Sequence, residues 1–260
     1  MYDSQVSNRF PRVGIIGAGP LSRMMIAPAT ALGVNLYLFT RSSDDCAAQI
    51  THHRVGELSS LEQVLAFAKE CDLITIESDE VPLSLIRGLE KAGIRVYPSS
   101  SSLTLCQSKL SSVAAVASET SRECDSEIAV LVARSPHGQA VSWTPSELRR
   151  EEGVTTLTIT PAQNISSEQS ADAQRLALEI AQEIALVGVM TVEIFVKGDE
   201  LFIKNLIMRP DEAGNWTIDG AAINQFEQHL RAILDLPLGD PAMLHPYVVT
   251  GSVLGADKSD

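Results

Sequence analysis

Apolar positions along the chain fall into two rhythms. Short, mainly apolar runs at residues 13–16, 36–39, 73–76 and 94–97 read as strands, the first of them buried, and the segments between them keep helical spacing. One predicted helix runs from a glycine turn to about Leu32, with Pro28 expected to kink it. The next is marked by Leu61, Val64, Leu65 and Ala68, and a third covers 83–92. Strand and helix in alternation predict an α/β unit. Further on, 127–138 (EIAVLVARSPHG) reads as a strand, 147–153 as a charged turn and 155–159 as a strand. Residues 171–185 read as a helix with Leu176, Ile180 and Ile184 on one face. Two strands, 189–196 (VMTVEIFV) and 200–203 (ELFI), flank the tight turn Lys197-Gly198-Asp199 and predict a β-hairpin. An amphipathic helix follows, with Ile223, Phe226, Leu230, Ile233 and Leu234 on its apolar side, and Leu236-Pro237-Leu238-Gly239 stops it.

Composition narrows the class. The chain has 260 residues, 45% hydrophobic and 20% charged, enough for one large or two modest domains. Its net charge of −13 argues against nucleic acid or an anionic membrane as partner, since both reward a basic surface. No apolar stretch approaches the length of a membrane span, and residues 1–12 are polar rather than signal-like, so a cytoplasmic location is expected. Cys46, Cys71, Cys106 and Cys124 lie far apart without a Cys-x-x-Cys pair, which predicts reduced thiols. His52-His53 reads as a solvated loop pair, because adjacent side chains point apart.

Four places carry candidate chemistry. Gly17-Ala18-Gly19-Pro20-Leu21-Ser22 follows the first strand, as a nucleotide-binding turn does, but Ser22 stands at the third glycine of the dinucleotide fingerprint. Arg41, not an acidic residue, follows the second strand. This disfavours NAD and leaves NADP open through Arg41 and its following serines. Glu77-Ser78-Asp79-Glu80 precedes Pro82 and reads either as ligand-facing or as the N-terminal cap of the next helix. Lys109 reads by itself as a solvated helix lysine, and Glu193 is the one carboxylate inside the first hairpin strand.

The block Trp216-Thr217-Ile218-Asp219-Gly220-Ala221, followed by Gln225-Phe226-Glu227-Gln228-His229-Leu230-Arg231-Ala232, resembles the ATP-grasp core of the N5-carboxyaminoimidazole ribonucleotide synthase family. Gly17, Gly19, Leu21, Arg23 and Met24 are similar to that family's Gly-x-Gly-Gln-Leu-x-Arg-Met opening, with Pro20 in place of the glutamine. The resemblance covers roughly residues 12–110 and 127–255. It implies an α/β fold with a Rossmann-like N-terminal domain (1–110), a short replacement for a lid subdomain (111–126) and a lidless ATP-grasp core of mixed sheet with helices (127–260). It also implies ATP-dependent carboxylation of aminoimidazole ribonucleotide through phosphorylated bicarbonate, in purine biosynthesis.

Residue roles follow from the same resemblance. Gly17, Gly19, Glu77 and Arg209 are implied to face the ribonucleotide. Lys109, Glu127, Glu193 and Asn205 are implied to face ATP, with Glu193 as a magnesium ligand. An open cleft between the two blocks, lined by Glu77, Lys109, Glu127, Glu193 and Arg209, is expected. The departures cluster at the chemistry. The family's second magnesium position is an Asn-Glu pair and reads Lys204-Asn205 here, while its Arg-Pro-His-Asn-Ser-Gly-His-Trp motif reads Arg209-Pro210-Asp211-Glu212-Ala213-Gly214-Asn215-Trp216. The seventeen residues 110–126, rich in Ala and Ser, suffice for one helix but not for a lid, and the family's basic C-terminal segment has no counterpart. The leading expectation is a catalytically degenerate relative acting as a binding or interaction protein. It would form a homodimer or pair with a complete synthase. An active carboxylating enzyme with altered site chemistry and an NADP-binding module are the alternatives.

Overall fold

The computed structural model describes residues 10–78, 80–120, 123–151 and 154–252. The chain divides into two compact units, one up to Ser100 and the other from Ser101. The division falls at Ser100 rather than at 110, because the serine run opens a helix whose Leu103, Cys106 and Leu110 pack into the second unit's core.

The first unit runs β1 (Arg12–Ile16), α1 (Pro20–Ala31), β2 (Asn35–Thr40), β3 (His53–Val55), α2 (Leu61–Ala68), β4 (Leu73–Ile76), α3 (Leu83–Lys91) and β5 (Val96–Tyr97). Its sheet has the order β3-β2-β1-β4-β5, with every ladder parallel. Val13, Ile15 and Ile16 of β1 and Leu73 and Ile74 of β4 are buried, as strands covered on both faces must be. Gly19 is the N-cap of α1 and Pro20 its first residue, a position that needs no N–H donor; the helix continues through Pro28 to Ala31. Ser60 caps α2 by accepting from the Gln63 N–H. The polar residues before α3 do not cap it: Pro82 is its N-cap, with no side-chain cap, and Asp79 lies outside the described residues. The histidine pair is not a free loop either, since His53 opens β3 and the His52 ring packs edge-on against Tyr37.

The second unit runs α4 (Ser100–Thr120), β6 (Ser126–Arg134), β7 (Ala140–Ser142), β8 (Ser146–Glu151), β9 (Val154–Thr160), α5 (Ser167–Glu183), β10 (Gly188–Lys197), β11 (Glu200–Ile207), α6 (Thr217–Gly220), α7 (Gln225–Ile233) and β12 (Val248–Gly251). Its sheet has the order β11-β10-β6-β8-β9-β12, with β7 beside β6, and its ladders are antiparallel. The expected mixture of strand directions is therefore divided between the units, parallel in the first and antiparallel in the second.

Alternation along β6 and β10 gives the sheet two different faces. Ile128, Val130, Met190, Val192 and Ile194 join one core cluster with residues of α4 and α5. Leu131, Ala133 and Val189 join another with Trp143, Trp216 and Ile223. A capping box between Ser166 and Gln169 starts α5 at Ser167, earlier than expected. Of the charged turn expected at 147–153, residues 147–151 lie in strand β8, and 152 and 153 lie outside the described residues. Glu147, Arg149 and Arg150 have partners there: Glu147 takes the Arg149 Nε and the Gln163 N–H, and Arg150 reaches across the sheet.

Gly188 opens β10 at φ +113°, and a Cβ there would lie 2.9 Å from two atoms of the His229 ring. Gly188→Ala is therefore expected to lower stability by about 2 kcal/mol in urea denaturation, combining a backbone penalty with a clash against a buried ring. A loss below about 0.5 kcal/mol would mean that the ring moves aside freely. Among the described residues, no helix is long and apolar enough to cross a membrane.

Candidate functional site

In the first unit the glycine turn is filled from within. Glu77 follows β4, its backbone N–H bonded to the Ile16 carbonyl, and its side chain turns into the loop. The Gly19 N–H donates to Glu77 Oε2 at 3.2 Å. A Cβ at either Gly17 or Gly19 would come within 2.4 Å of a Glu77 carboxylate oxygen, so glycine is needed for this approach. The structure thus brings Gly17, Gly19 and Glu77 together. A dinucleotide pyrophosphate in this turn would meet that carboxylate, and Arg41 is engaged with Glu80 at 2.5 Å. Both contacts weigh against the NADP reading.

In the second unit, Glu127 of β6 and Glu193 of β10 share the sheet face opposite α4 and α5. Lys204 and Asn205 of β11 sit beside them. Glu193 and Asn205 are direct cross-strand partners, and Ile194 pairs with Ile203, which leaves Lys204 as the extra residue of a β-bulge. A regular strand would turn Lys204 to the other face from Asn205; the bulge aims it at the carboxylates. Its Nζ donates to Glu127 Oε1 at 2.5 Å and lies 3.7 Å from Glu193 Oε2.

The second cation is Arg150 of β8. Its Nε donates to Glu127 Oε1 at 2.8 Å and its terminal nitrogen bonds Glu193. The Glu193 and Glu127 side chains are only 6% and 14% exposed, against 25% for both Arg150 and Lys204, so the four charges form a mostly dehydrated and formally neutral ring. Burial pulls the Arg150 guanidinium down, and the Glu193 and Glu127 carboxylates more than offset it, leaving it above its ordinary value. The sequence reading did not single out Arg150. Its available signal was the i, i+2 spacing to Leu148, which packs with Ala129 and Ala213.

Beside this ring lies a cavity of about 340 Å³ lined by Arg150, Glu193, Asn205, Asp211 and Glu212, among others. Arg209 stays close to its own loop, donating to the Pro210 carbonyl at 3.3 Å and lying 3.8 Å from Asp211 Oδ1. Asp211 also accepts from the Ala213 N–H, and the Gln225 side-chain amide clamps the Asp211 backbone, its oxygen accepting the Asp211 N–H and its nitrogen donating to the Asp211 carbonyl. Thr217 donates to the Gly214 carbonyl and accepts from the Gln225 N–H. The strongest sequence block is therefore scaffold for the loop rather than ligand machinery.

Lys109 is not brought to this face. It lies on α4 and its Nζ donates to Glu183 of α5 at 2.5 Å, while Glu193 projects from the opposite side of the sheet. Lys109 and Glu193 do not line one cleft.

The residues present do not fit magnesium. A hard divalent cation needs several oxygen ligands, and Asn205 leaves Glu193 as the one carboxylate of the implied pair. That carboxylate already carries two cationic partners. Among the described residues, no group of three or more His, Cys, Asp or Glu is placed to hold a metal ion.

Comparison with known proteins agrees with the fold. Residues 10–107 match the ribonucleotide synthetase preATP-grasp domain, and residues 92–226 match the ATP-grasp domain. The N5-carboxyaminoimidazole ribonucleotide synthase of Mycobacterium bovis is 34% identical over 95% of this chain and 73% of its own length. That alignment spans 315 positions, more than the 260 residues here, so the relative carries residues without a counterpart in this chain. The crystal structure of N5-carboxyaminoimidazole ribonucleotide synthetase from Thermus thermophilus superposes with a TM-score of 0.80 at 26% identity, covering 89% of this chain and 80% of that one. The Aspergillus clavatus synthase, crystallised with ADP and 5-aminoimidazole ribonucleotide, gives 0.84 at 22% identity over 95% of this chain and 83% of its own. With both domain models matched and a 34% identical relative aligned over 95% of this chain, the chain belongs to the N5-carboxyaminoimidazole ribonucleotide synthase family of ATP-grasp proteins.

Proposed function

We propose that this chain is a catalytically degenerate family member that acts as a cytoplasmic binding or interaction protein in or near purine biosynthesis. It would either form a homodimer or pair with a complete synthase. The observation that carries the reading is the closed ring of Glu127, Lys204, Glu193 and Arg150. Phosphoryl transfer depends on positioning the phosphates and neutralising their charge. Here the side-chain cations are consumed by carboxylates, and Asp211 and Glu212 add negative charge beside them. An altered chemistry built on Lys204 is not favoured either, because its ammonium is held by Glu127. ATP with magnesium is thus not a working cofactor of this chain. Aminoimidazole ribonucleotide, which the Aspergillus relative binds, is the ligand to test first.

The deciding measurement is phosphate release from ATP with magnesium, bicarbonate and aminoimidazole ribonucleotide. Release equal to a blank without protein is expected. Magnesium-dependent turnover that disappears in Glu193→Gln would sink the reading. Unfolding temperature with the ribonucleotide alone then separates a retained substrate site from a purely protein-directed role: a ligand at a hundred times its Kd stabilises by about 2.7 kcal/mol.

A further inference from the structure

The geometry points to a site whose cations are built in: Arg150 and Lys204 hold Glu127 and Glu193 shut against divalent metal, and this sheet face operates without one. The inference deepens the proposed function and rests on that reading, but its test contains no nucleotide.

Three observations carry it. The first is stoichiometry: two carboxylates and two cations meet with cross-pairing, since Arg150 bonds both Glu127 and Glu193, and Lys204 bonds Glu127 while standing 3.7 Å from Glu193. An arriving divalent ion would find no uncompensated charge and would have to break ion pairs that are largely removed from water. The second is that the cations come from separate strands, β8 and β11, on either side of the β6–β10 pair that carries the carboxylates. Loss of one leaves the other in place. The third is the bulge, which spends a residue of β11 to bring Lys204 onto this face while Asn205 stays opposite Glu193. Lys204 is steadied there by the Phe195 ring, 5.4 Å from its Nζ.

Remove the built-in cations and what remains is the Glu127 and Glu193 carboxylates, hard oxygen donors suited to Mg²⁺ or Mn²⁺, beside Asn205, whose amide oxygen accepts the Leu206 N–H at 2.9 Å. The test is a Mn²⁺ titration of the full chain, following free Mn²⁺ by electron paramagnetic resonance. The native chain is expected to leave Mn²⁺ free. Arg150→Gln with Lys204→Gln should bind it roughly tenfold or more tightly, because two uncompensated carboxylates then face the ion. Adding Glu193→Gln should abolish that gain. The charge-preserving exchange, Arg150→Lys with Lys204→Arg, should behave like the native chain, a result that a merely structural role for these residues would not require. If the doubly neutralised variant does not fold, Lys204→Gln alone, which keeps Arg150, should show a smaller gain. Native Mn²⁺ binding as tight as the variant's and lost in Glu193→Gln would overturn the inference, as would a folded neutralised variant with no gain. The proposed loss of turnover is decided separately by phosphate release from the native chain.

Discussion

Arg150→Leu is expected to lower the stability of the chain by about 3 kcal/mol at neutral pH, measured by urea denaturation. Breaking a buried ion pair from one side is worth roughly 3–5 kcal/mol, because the abandoned carboxylate stays dehydrated. The lower end applies here. The Arg150 side chain is a quarter exposed, and Lys204 still neutralises Glu127 after the change. Glu193 suffers most, since its closest cation is Arg150 and Lys204 stands 3.7 Å from it. Lys204→Met should be milder, because Arg150 still holds both carboxylates. A deficit under about 1 kcal/mol for Arg150→Leu would show that water screens the ring, and the account of a dehydrated site would fall.

The second large effect concerns His229, buried in α7, whose Nδ1 accepts the Val189 N–H at 3.1 Å. Burial lowers its pKa from 6.5 to about 4. Below pH 6.5 the unfolded chain takes up a proton that the folded chain refuses. The stabilising contribution is therefore complete above pH 6.5 and is lost as pH falls to about 4. The loss amounts to about 3 kcal/mol, a large part of an ordinary stability of roughly 5–15 kcal/mol. His229→Gln keeps an acceptor for the Val189 N–H and removes the titration. The native chain should lose stability relative to this variant between pH 6.5 and 4, whatever the other groups do. Parallel stability curves for the two proteins over that range would rule out His229 as the source.

The legible parts of the sequence were those whose pattern is local. β1 and β4 are short apolar runs buried on both faces, and the β10–β11 hairpin is announced by its Lys197-Gly198-Asp199 turn. The block from Trp216 to Ala232 carried the family resemblance, and within it Thr217 and Gln225 hold the 211–225 loop. What failed were readings that depend on sheet order. Residues 147–153 looked like a turn because Glu147, Arg149, Arg150 and Glu151 are charged, and the partners of Arg150 lie elsewhere: Glu127 is 23 residues away, and Glu193 is 43. Only the adjacency of β8, β6 and β10 makes Arg150 the neighbour of both. Lys204 was visible as a changed residue, but the direction of its side chain depends on a bulge that no propensity announces. Glu77 was read as ligand-facing or as a cap; it does not cap α3, and its carboxylate lies in the glycine turn.

The bulge at Lys204 also bears on how such a chain arises. Pairing resumes on either side of this one residue, Asn205 with Glu193 and Ile203 with Ile194. An in-frame loss of that single codon would therefore close β11 into a regular ladder and leave every other strand contact in register. Between a sheet face held by Arg150 alone and one held by Arg150 and Lys204 together lies one small genetic step that leaves the rest of β11 in register.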